Sequence, residues 1–388
     1  MADPKWADDR FLDDLRRQTD ALADAAVASF LTTHSLGEIN YIFQNMRSDD
    51  QPIVADAPAA FQEFVRQTEA LPPDLDLARL DRASAIFLRY AATSCLVLLA
   101  SSLPSGYSAP CLTHILMISR DLQKDPFKRL MGVVQMLVNV TARNAYAPGG
   151  LAVVTAQKLR LLHAGVRAIV PHRRPGYSER FGPPVNHEDM LATLMAFSSL
   201  VIEGLRKLDL GLTDDEAEDY YYLWRVYALL MGIHPDGAPF DDSLIPRTVD
   251  DAAQFYASYT RRQFTGPEEN PSGVVLTKDN LDMMVSLLPR PLRHTDLALA
   301  PQIAMADLLS PEELARVGVA PVEGHELLRK SFCLALTVEQ GLAELAPCGL
   351  VEVLSRHLFD KMIDKSRGGP VQFIIPDSVA DLRGTELV

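Results

Sequence analysis

The chain lacks most of the short motifs that mark common enzyme classes. It has no P-loop and no G-x-G-x-x-G turn, so nucleotide binding has no support in the sequence. It has no G-x-S-x-G elbow, and the absence of H-x-x-x-H and H-E-x-x-H pairs argues against a zinc hydrolase. The four cysteines are scattered without a C-x-x-C pair, so we expect reduced thiols and no thiolate zinc site.

Positive charge and long apolar runs are also scarce. The chain carries 37 Lys and Arg against 51 Asp and Glu, and a net charge of −14 disfavours nonspecific attraction to nucleic acid or anionic membranes. The most apolar stretch, residues 95–100, is far too short to span a bilayer. The first ten residues show neither an apolar signal core nor a twin arginine. We therefore expect a cytoplasmic protein with no membrane span and no nucleic-acid partner.

Strand patterns are rare, which predicts an all-α fold. Only residues 371–375, Val-Gln-Phe-Ile-Ile, resemble a strand. Periodicity predicts helices over residues 8–30, 57–70, 78–102, 109–122, 126–142, 150–170, 188–208, 214–232, 249–264, 278–288, 295–308, 311–317, 324–345 and 350–365. The chain is 48% hydrophobic and has no low-complexity linker, so we expect a single helical domain over residues 1–388.

Several predicted helices begin with recognisable capping residues. Thr213 with Glu216, and Ser310 with Glu313, have the spacing of capping boxes. Asn186 is placed to cap the helix that follows it.

The most informative segment is residues 158–167, Lys-Leu-Arg-Leu-Leu-His-Ala-Gly-Val-Arg. Arg160 precedes His163 by three residues and Arg167 follows it by four, so the three side chains share one helical face. A neighbouring face, predicted to be core, holds Leu159, Leu162, Val166 and Ile169. A neutral imidazole flanked by two guanidinium groups suits an iron porphyrin, because the imidazole binds the metal and the cations pair with the propionates. A core histidine with a satisfied hydrogen bond is the alternative interpretation.

Further candidates are less specific. An aromatic cluster on one helix favours packing, with a wall for a hydrophobic substrate as the alternative; it consists of Tyr220, Tyr221, Tyr222, Trp224 and Tyr227. His114 lies on an apolar helix and is a candidate second iron ligand. Arg129 begins another helix, where a solvated or salt-bridged arginine is the simpler interpretation.

Several segments, in order, resemble the latex-clearing proteins, which are haem b rubber oxygenases within a broader oxygenase family that includes the mycophenolic acid biosynthesis oxygenase. Three of them are residues 125–130 (D-P-F-K-R-L), 147–150 (A-P-G-G) and 157–167 (Q-K-L-R-L-L-H-A-G-V-R). Residues 184–190, P-V-N-H-E-D-M, look like the family's P-V-N-Q-E-D-M segment. Residues 222–226 and 230–233 look like its tyrosine-tryptophan helix, and the similarity covers residues 80–265.

The resemblance implies a mainly helical fold with a globin-like core that encloses haem b. It implies that His163 is the proximal iron ligand and that Arg160 and Arg167 hold the haem. It also implies dioxygen as a partner and a distal arginine, which is Arg129 in this sequence.

Two departures from the family bear on the distal side. The family's distal lysine and threonine are replaced by Gly132 and Val133, and the region that would supply a distal carboxylate holds Cys111, Thr113 and His114 instead. We therefore expect an open, apolar distal pocket without a lysine ligand to iron.

These observations lead to one interpretation and two alternatives. We expect a haem-dependent oxygenase that acts with dioxygen on a small intracellular hydrophobic substrate, with an olefin as the favoured class. A secretion signal is missing and an insoluble polymer cannot enter a cell, so polyisoprene is not the expected substrate. The alternatives are a haem protein with peroxide or gas-binding chemistry, and a helical hydrophobic-ligand-binding protein that has lost haem.

Overall fold

The computed structural model describes residues 2–33, 57–122, 126–322 and 324–326. Within these ranges the chain forms helices and no β-strand, so the predicted all-α fold is confirmed. The predicted strand at 371–375 and the predicted helix at 350–365 lie outside the described residues, as does most of the predicted helix at 324–345.

The described residues form a succession of α-helices. In chain order they are α1 (Asp9–Arg17), α2 (Ala21–Thr33), α3 (Ala59–Thr68), α4 (Leu77–Arg89), α5 (Ala91–Val97), α6 (Leu103–Gly106), α7 (Pro110–Leu122), α8 (Pro126–Thr141), α9 (Leu151–Arg173), α10 (Tyr177–Phe181), α11 (His187–Phe197), α12 (Ser199–Lys207), α13 (Asp214–Leu230), α14 (Val249–Gln263), α15 (Pro271–Leu287), α16 (Ala300–Leu308) and α17 (Pro311–Arg316). A π-helical turn, Leu98–Ser102, joins α5 to α6.

Three long helices predicted from periodicity are broken in the structure. The predicted helix 8–30 breaks after Gln18, whose backbone is extended. The predicted helix 78–102 bends by 78° between Leu77–Arg89 and Ala91–Gly106. The predicted helix 188–208 breaks at Ser198, whose hydroxyl donates to the carbonyl of Leu194 at 2.8 Å and so competes with the helical pattern. Among the described helices none is by itself long and apolar enough to cross a membrane, although this bent pair together has the length and composition.

The predicted helix caps are present. Thr213 with Glu216, and Ser310 with Glu313, form complete capping boxes, and the Asn186 side chain accepts a hydrogen bond from the amide of Asp189. The side-chain oxygens of these capping residues accept hydrogen bonds from N–H groups that the first helical turn leaves without partners. These caps fix where α11, α13 and α17 begin.

Helix α9 is held between two groups of buried side chains. One end contributes Ala152, Val153 and Ala156 to the main core. Leu161, Ala164 and Ile169 belong to a second cluster, which they share with phenylalanines of α2 and α3. The predicted core face of α9 is therefore wrong in part: Ile169 is buried, but Leu159, Leu162 and Val166 are only half-buried. The reason is that α2 and α3 cover the adjacent face instead.

Gly232, directly after α13, has a φ of +82°, and a Cβ at this position would stand 3.0 Å from the guanidinium of Arg160. We expect Gly232→Ala to destabilise the protein for two reasons, the left-handed backbone, which costs roughly 1–2 kcal/mol, and the displacement of Arg160. Gly237→Ala is the matched control, because its φ is +74° and a Cβ there meets nothing within 4 Å. Urea unfolding of both variants measures the difference, and equal losses would contradict the role of the close approach.

Candidate functional site around His163

His163 lies in the middle of α9, at the border between an apolar strip and a charged strip. The apolar strip consists of Leu159, Leu162 and Val166, which are half-buried like His163 itself. The spacing of three and four residues places these side chains along one side of the helix. The charged strip consists of Arg160 and Arg167, one helical turn before and after His163. The imidazole thus stands where an apolar surface meets two cations.

The environment keeps the His163 imidazole neutral. Burial and the neighbouring positive charge of Arg167 lower its pKa to about 4, and the opposing effect of Asp20 is smaller. A neutral imidazole has a nitrogen lone pair, which is the form that binds metal ions. His163 is therefore neutral throughout the physiological pH range.

Each of the three nitrogens of the Arg160 guanidinium donates to a protein group. Its Nε donates to Asp20 Oδ2 at 2.6 Å and its Nη2 donates to Asp20 Oδ1 at 2.9 Å, which makes a bidentate pair. The guanidinium also lies over the ring of Phe64, and Nη1 reaches the carbonyl of Leu230 at 3.4 Å. Burial alone would raise the pKa of Asp20, but Arg160 holds it below its ordinary value. This pair fastens the segment before α2 to α9.

Arg167 is only partly occupied. Its Nε donates to Asp24 Oδ1 at 2.7 Å, and its Nη1 donates to the carbonyl of Val185 at 3.3 Å. Its Nη2 is buried and has no hydrogen-bond partner among the residues that the structure describes. One nitrogen of this guanidinium therefore remains available to an acceptor.

The structure places the predicted site residues of α9 together and adds two acids. Arg160 and Arg167 share the face predicted from their spacing, and both turn toward the N-terminal segment. Sequence reasoning missed Asp20 and Asp24. A signal for them exists, because the run D-A-L-A-D-A-A-V (residues 20–27) sets two acids four residues apart in an apolar stretch, where burial calls for cationic partners. The predicted contacts of both arginines with haem propionates stay predictions.

The other two predicted site residues lie elsewhere or are not fully described. The ring of His114 on α7 contacts the rings of Tyr177 and Phe181, with centroids 6.5 and 5.4 Å away. Burial and the charges of Arg174 and Arg180 lower its pKa. These contacts lie at the C-terminal end of α9, and none of them involves His163. Arg129 lies on α8, but its side chain is outside the described part of the structure.

Helices α8 and α9 contact each other. The side chain of Asn139 on α8 donates to the hydroxyl of Thr155 on α9 at 3.0 Å. Gly132 and Val133, at which the chain departs from the resembling family, also lie on α8 and are half-buried.

The aromatic cluster of α13 is part of the core. Its five members, Tyr220, Tyr221, Tyr222, Trp224 and Tyr227, are all buried. Tyr220 and Tyr221 donate to backbone carbonyls of Phe197 and Pro246, and Trp224 stacks on Phe197 with ring centroids 5.4 Å apart. These contacts favour the packing interpretation over a substrate wall.

A cavity of about 90 Å³ adjoins the Arg160–Asp20 pair. Its polar lining includes Thr68, His234 and Asp236. The cavity is polar and roomy enough to hold water beside the buried ion pair.

Comparison with known proteins defines the family. The family model described as the ER-bound oxygenase mpaB/B′/Rubber oxygenase catalytic domain matches residues 97–336, which is well over half of the chain. The chain belongs to this family. The family is the one that the sequence motifs resemble, and its match continues beyond the predicted 80–265 core.

One curated relative and one solved structure agree with this assignment. The "Rubber oxygenase" of Streptomyces sp. (strain K30) is 25% identical over 282 residues, which are 70% of this chain and 66% of that protein. The chain thus matches just under two thirds of that relative's length. The structure of latex clearing protein LCP in the closed state is 20% identical, covers 90% of this chain and 91% of its own, and has a TM-score of 0.69. The structural likeness supports the all-α fold.

The buried Arg160–Asp20 pair yields a stability prediction. Asp20→Asn keeps an oxygen for the amide of Ala23, which Asp20 caps, but leaves the Arg160 guanidinium without its counter-charge. We expect a loss of about 3–5 kcal/mol in the free energy of unfolding, the usual cost of breaking a buried pair. Asp14→Asn is the control, because its pair with Arg17 is exposed and should be worth about 0–1 kcal/mol. Similar losses in urea unfolding of the two variants would refute the anchoring role of Asp20.

Proposed function

We propose that the protein is a haem-dependent oxygenase that acts on a small hydrophobic substrate. The observation that carries this proposal is the neutral imidazole of His163, set between an apolar strip and an arginine with a free buried nitrogen, in a member of an oxygenase family. Each of these three features matches one part of haem: the iron, the ring and a propionate.

The residues of α9 fit haem b as follows. His163 would bind the iron, Leu159, Leu162 and Val166 would contact the ring, and Nη2 of Arg167 would donate to a propionate. Bound haem would supply the iron centre at which dioxygen reacts. The protein would keep the His163 imidazole neutral and hold a propionate of the haem through the positive charge of Arg167. The apolar strip would exclude water from the ring. Arg160, whose donors are used by Asp20, would act by holding the N-terminal segment against α9.

The distal side would be open and apolar. Gly132 and Val133 are half-buried residues of α8 and would line the distal side, where relatives of the latex-clearing type have lysine and threonine. Neither residue can bind iron or move a proton, so polarity near the reacting oxygen would come from Arg129 on the same helix. A small olefin would occupy the space that a lysine side chain would otherwise fill. A cytoplasmic location belongs to the same proposal.

The proposal predicts a haem spectrum that depends on His163. Wild-type protein reconstituted with haem should show a Soret band at one haem per chain, and His163→Ala should lose stoichiometric haem while its helical circular dichroism persists. His172→Ala is the control, because His172 is an exposed histidine of the same helix and should leave the spectrum unchanged.

Oxygen uptake with lipophilic olefins, followed by product analysis, tests the reaction itself. A wild-type protein without a Soret band would leave a hydrophobic-ligand-binding protein as the explanation. A Soret band with peroxide turnover but no oxygen uptake would assign the protein to other haem chemistry. Either result would overturn the proposed oxygenase.

The distal side gives a second prediction. Because Gly132 and Val133 cannot bind iron, the resting ferric protein should be high-spin, and added cyanide or imidazole should shift the Soret band readily. A low-spin spectrum with two nitrogen ligands would contradict an open distal site. His114→Ala would then show whether His114 supplies the second nitrogen, by conversion of that spectrum to high spin.

A further inference from the structure

The side chain of His187, the first residue of α11, is buried and has no hydrogen bond within the described part of the chain. Its side chain belongs to a residue that is 4% exposed, and neither Nδ1 nor Nε2 has a partner in the described part of the chain. Leaving a buried polar group unpaired costs about 1–3 kcal/mol, so such groups usually have a role. The caps and ion pairs described above do not use this imidazole.

The backbone around His187 brings it beside the charged face of α9. The amide of His187 donates to the carbonyl of Gln18 at 2.9 Å, two residues before Asp20. Two residues before His187, the carbonyl of Val185 accepts the hydrogen bond from Nη1 of Arg167 at 3.3 Å. His187 therefore lies in a segment bonded both to Arg167 and to the strip of chain that carries Asp20.

That segment is strained. Val185 has a φ of +52°, in the left-handed region that β-branched residues rarely adopt. The cost of such a conformation is of order 1–3 kcal/mol, and it persists where surrounding contacts require it. Here the contact is the Val185 carbonyl with Arg167, and the strained turn leads directly into Asn186 and His187.

Two hydrogen-bond donors near His187 have no partner among the described residues. The charged and titratable groups that face His187 are Asp20, His234, Arg167 and Arg160, and burial together with the cations lowers the pKa of His187 to about 4. The imidazole is therefore neutral and carries one N–H. Arg160 is paired with Asp20 and Arg167 with Asp24, and within the described residues this N–H and Nη2 of Arg167 are buried donors without a hydrogen-bond partner.

We propose that His187 and Arg167 together bind a carboxylate. The two buried, unpaired donors lie on segments joined by the Arg167–Val185 hydrogen bond, and a carboxylate has two oxygens to accept one bond from each. The inference rests on the proposed function for the source of that carboxylate, which would be a propionate of the haem bound by His163. A small free carboxylate is the other source, and the experiment separates the two.

The first arm compares haem with haem dimethyl ester, whose propionates cannot bind as anions. Release to apomyoglobin is measured for wild type, His187→Leu, His187→Gln and Arg167→Gln. His187→Leu should release haem about tenfold faster or more, the effect of one lost charged hydrogen bond, and should release the ester at the wild-type rate. His187→Gln keeps an N–H donor and should recover most of the retention. His234→Leu is the control at a neighbouring half-buried histidine.

The outcomes decide the assignment. Equal release of haem by wild type and His187→Leu would overturn it, as would acceleration of acid and ester to the same extent, which indicates a packing role only. Without haem, His187→Leu should be at least as stable to unfolding as wild type, because no hydrogen bond is removed within the described structure and an unpaired polar group is.

The second arm applies if the wild-type protein takes up no haem. That result would overturn the proposed function but would leave the carboxylate site to be tested. Sodium propionate is then titrated into the full chain, and the ring resonances of His187 are followed by NMR. A saturable shift that Arg167→Gln removes would support the carboxylate site with a free ligand. No shift would overturn the site as well.

Discussion

The arrangement around His163 depends on the buried pair between Arg160 and Asp20. Two charges removed from water are tolerated only when each satisfies the other, and here the guanidinium meets both carboxylate oxygens. The pair fixes the segment before α2 against α9, and the second cluster of phenylalanines then covers that side. Gly232 makes room for the guanidinium. What remains of α9 beside His163 is the apolar strip, which is only half-covered.

Arg160 and Arg167 share one helical face of α9 but differ in their hydrogen bonding. Each guanidinium nitrogen of Arg160 donates to Asp20 or to a backbone carbonyl, whereas Nη2 of Arg167 has no partner among the described residues. This difference separates a residue that positions the N-terminal segment from one that can bind a ligand. His187 shares the second property, and both belong to a region where Val185 is strained. Unpaired donors and backbone strain coincide on one side of the candidate site.

The sequence was sufficient for the fold class, the family and the shared face of Arg160, His163 and Arg167. It predicted the capping boxes because the capping side chain lies three residues from its partner. It failed where partners lie far apart in the chain: Asp20 meets Arg160 across 140 residues, and periodicity carries no information about such a pair. The periodicity also predicted α1 with α2, and α11 with α12, as single helices. An extended residue or a single hydroxyl can break a helix without disturbing its apolar period. His187 begins a predicted helix, a position typical of capping or surface residues, and its burial without a side-chain hydrogen bond is visible only once its neighbours are placed.

The long separation of the Asp20–Arg160 pair has a consequence for synthesis of the protein. Residues emerge from the ribosome in order, so Asp20 and Asp24 are exposed to water well before α9 is complete. Helices α2 and α3 can already pack on each other, but the side of their cluster that Leu161, Ala164 and Ile169 cover stays open until α9 is made. Until Arg160 and Arg167 follow, Asp20 and Asp24 lack their cationic partners. A nascent chain that stops short of Arg160 therefore leaves α2 without its ion pairs to α9.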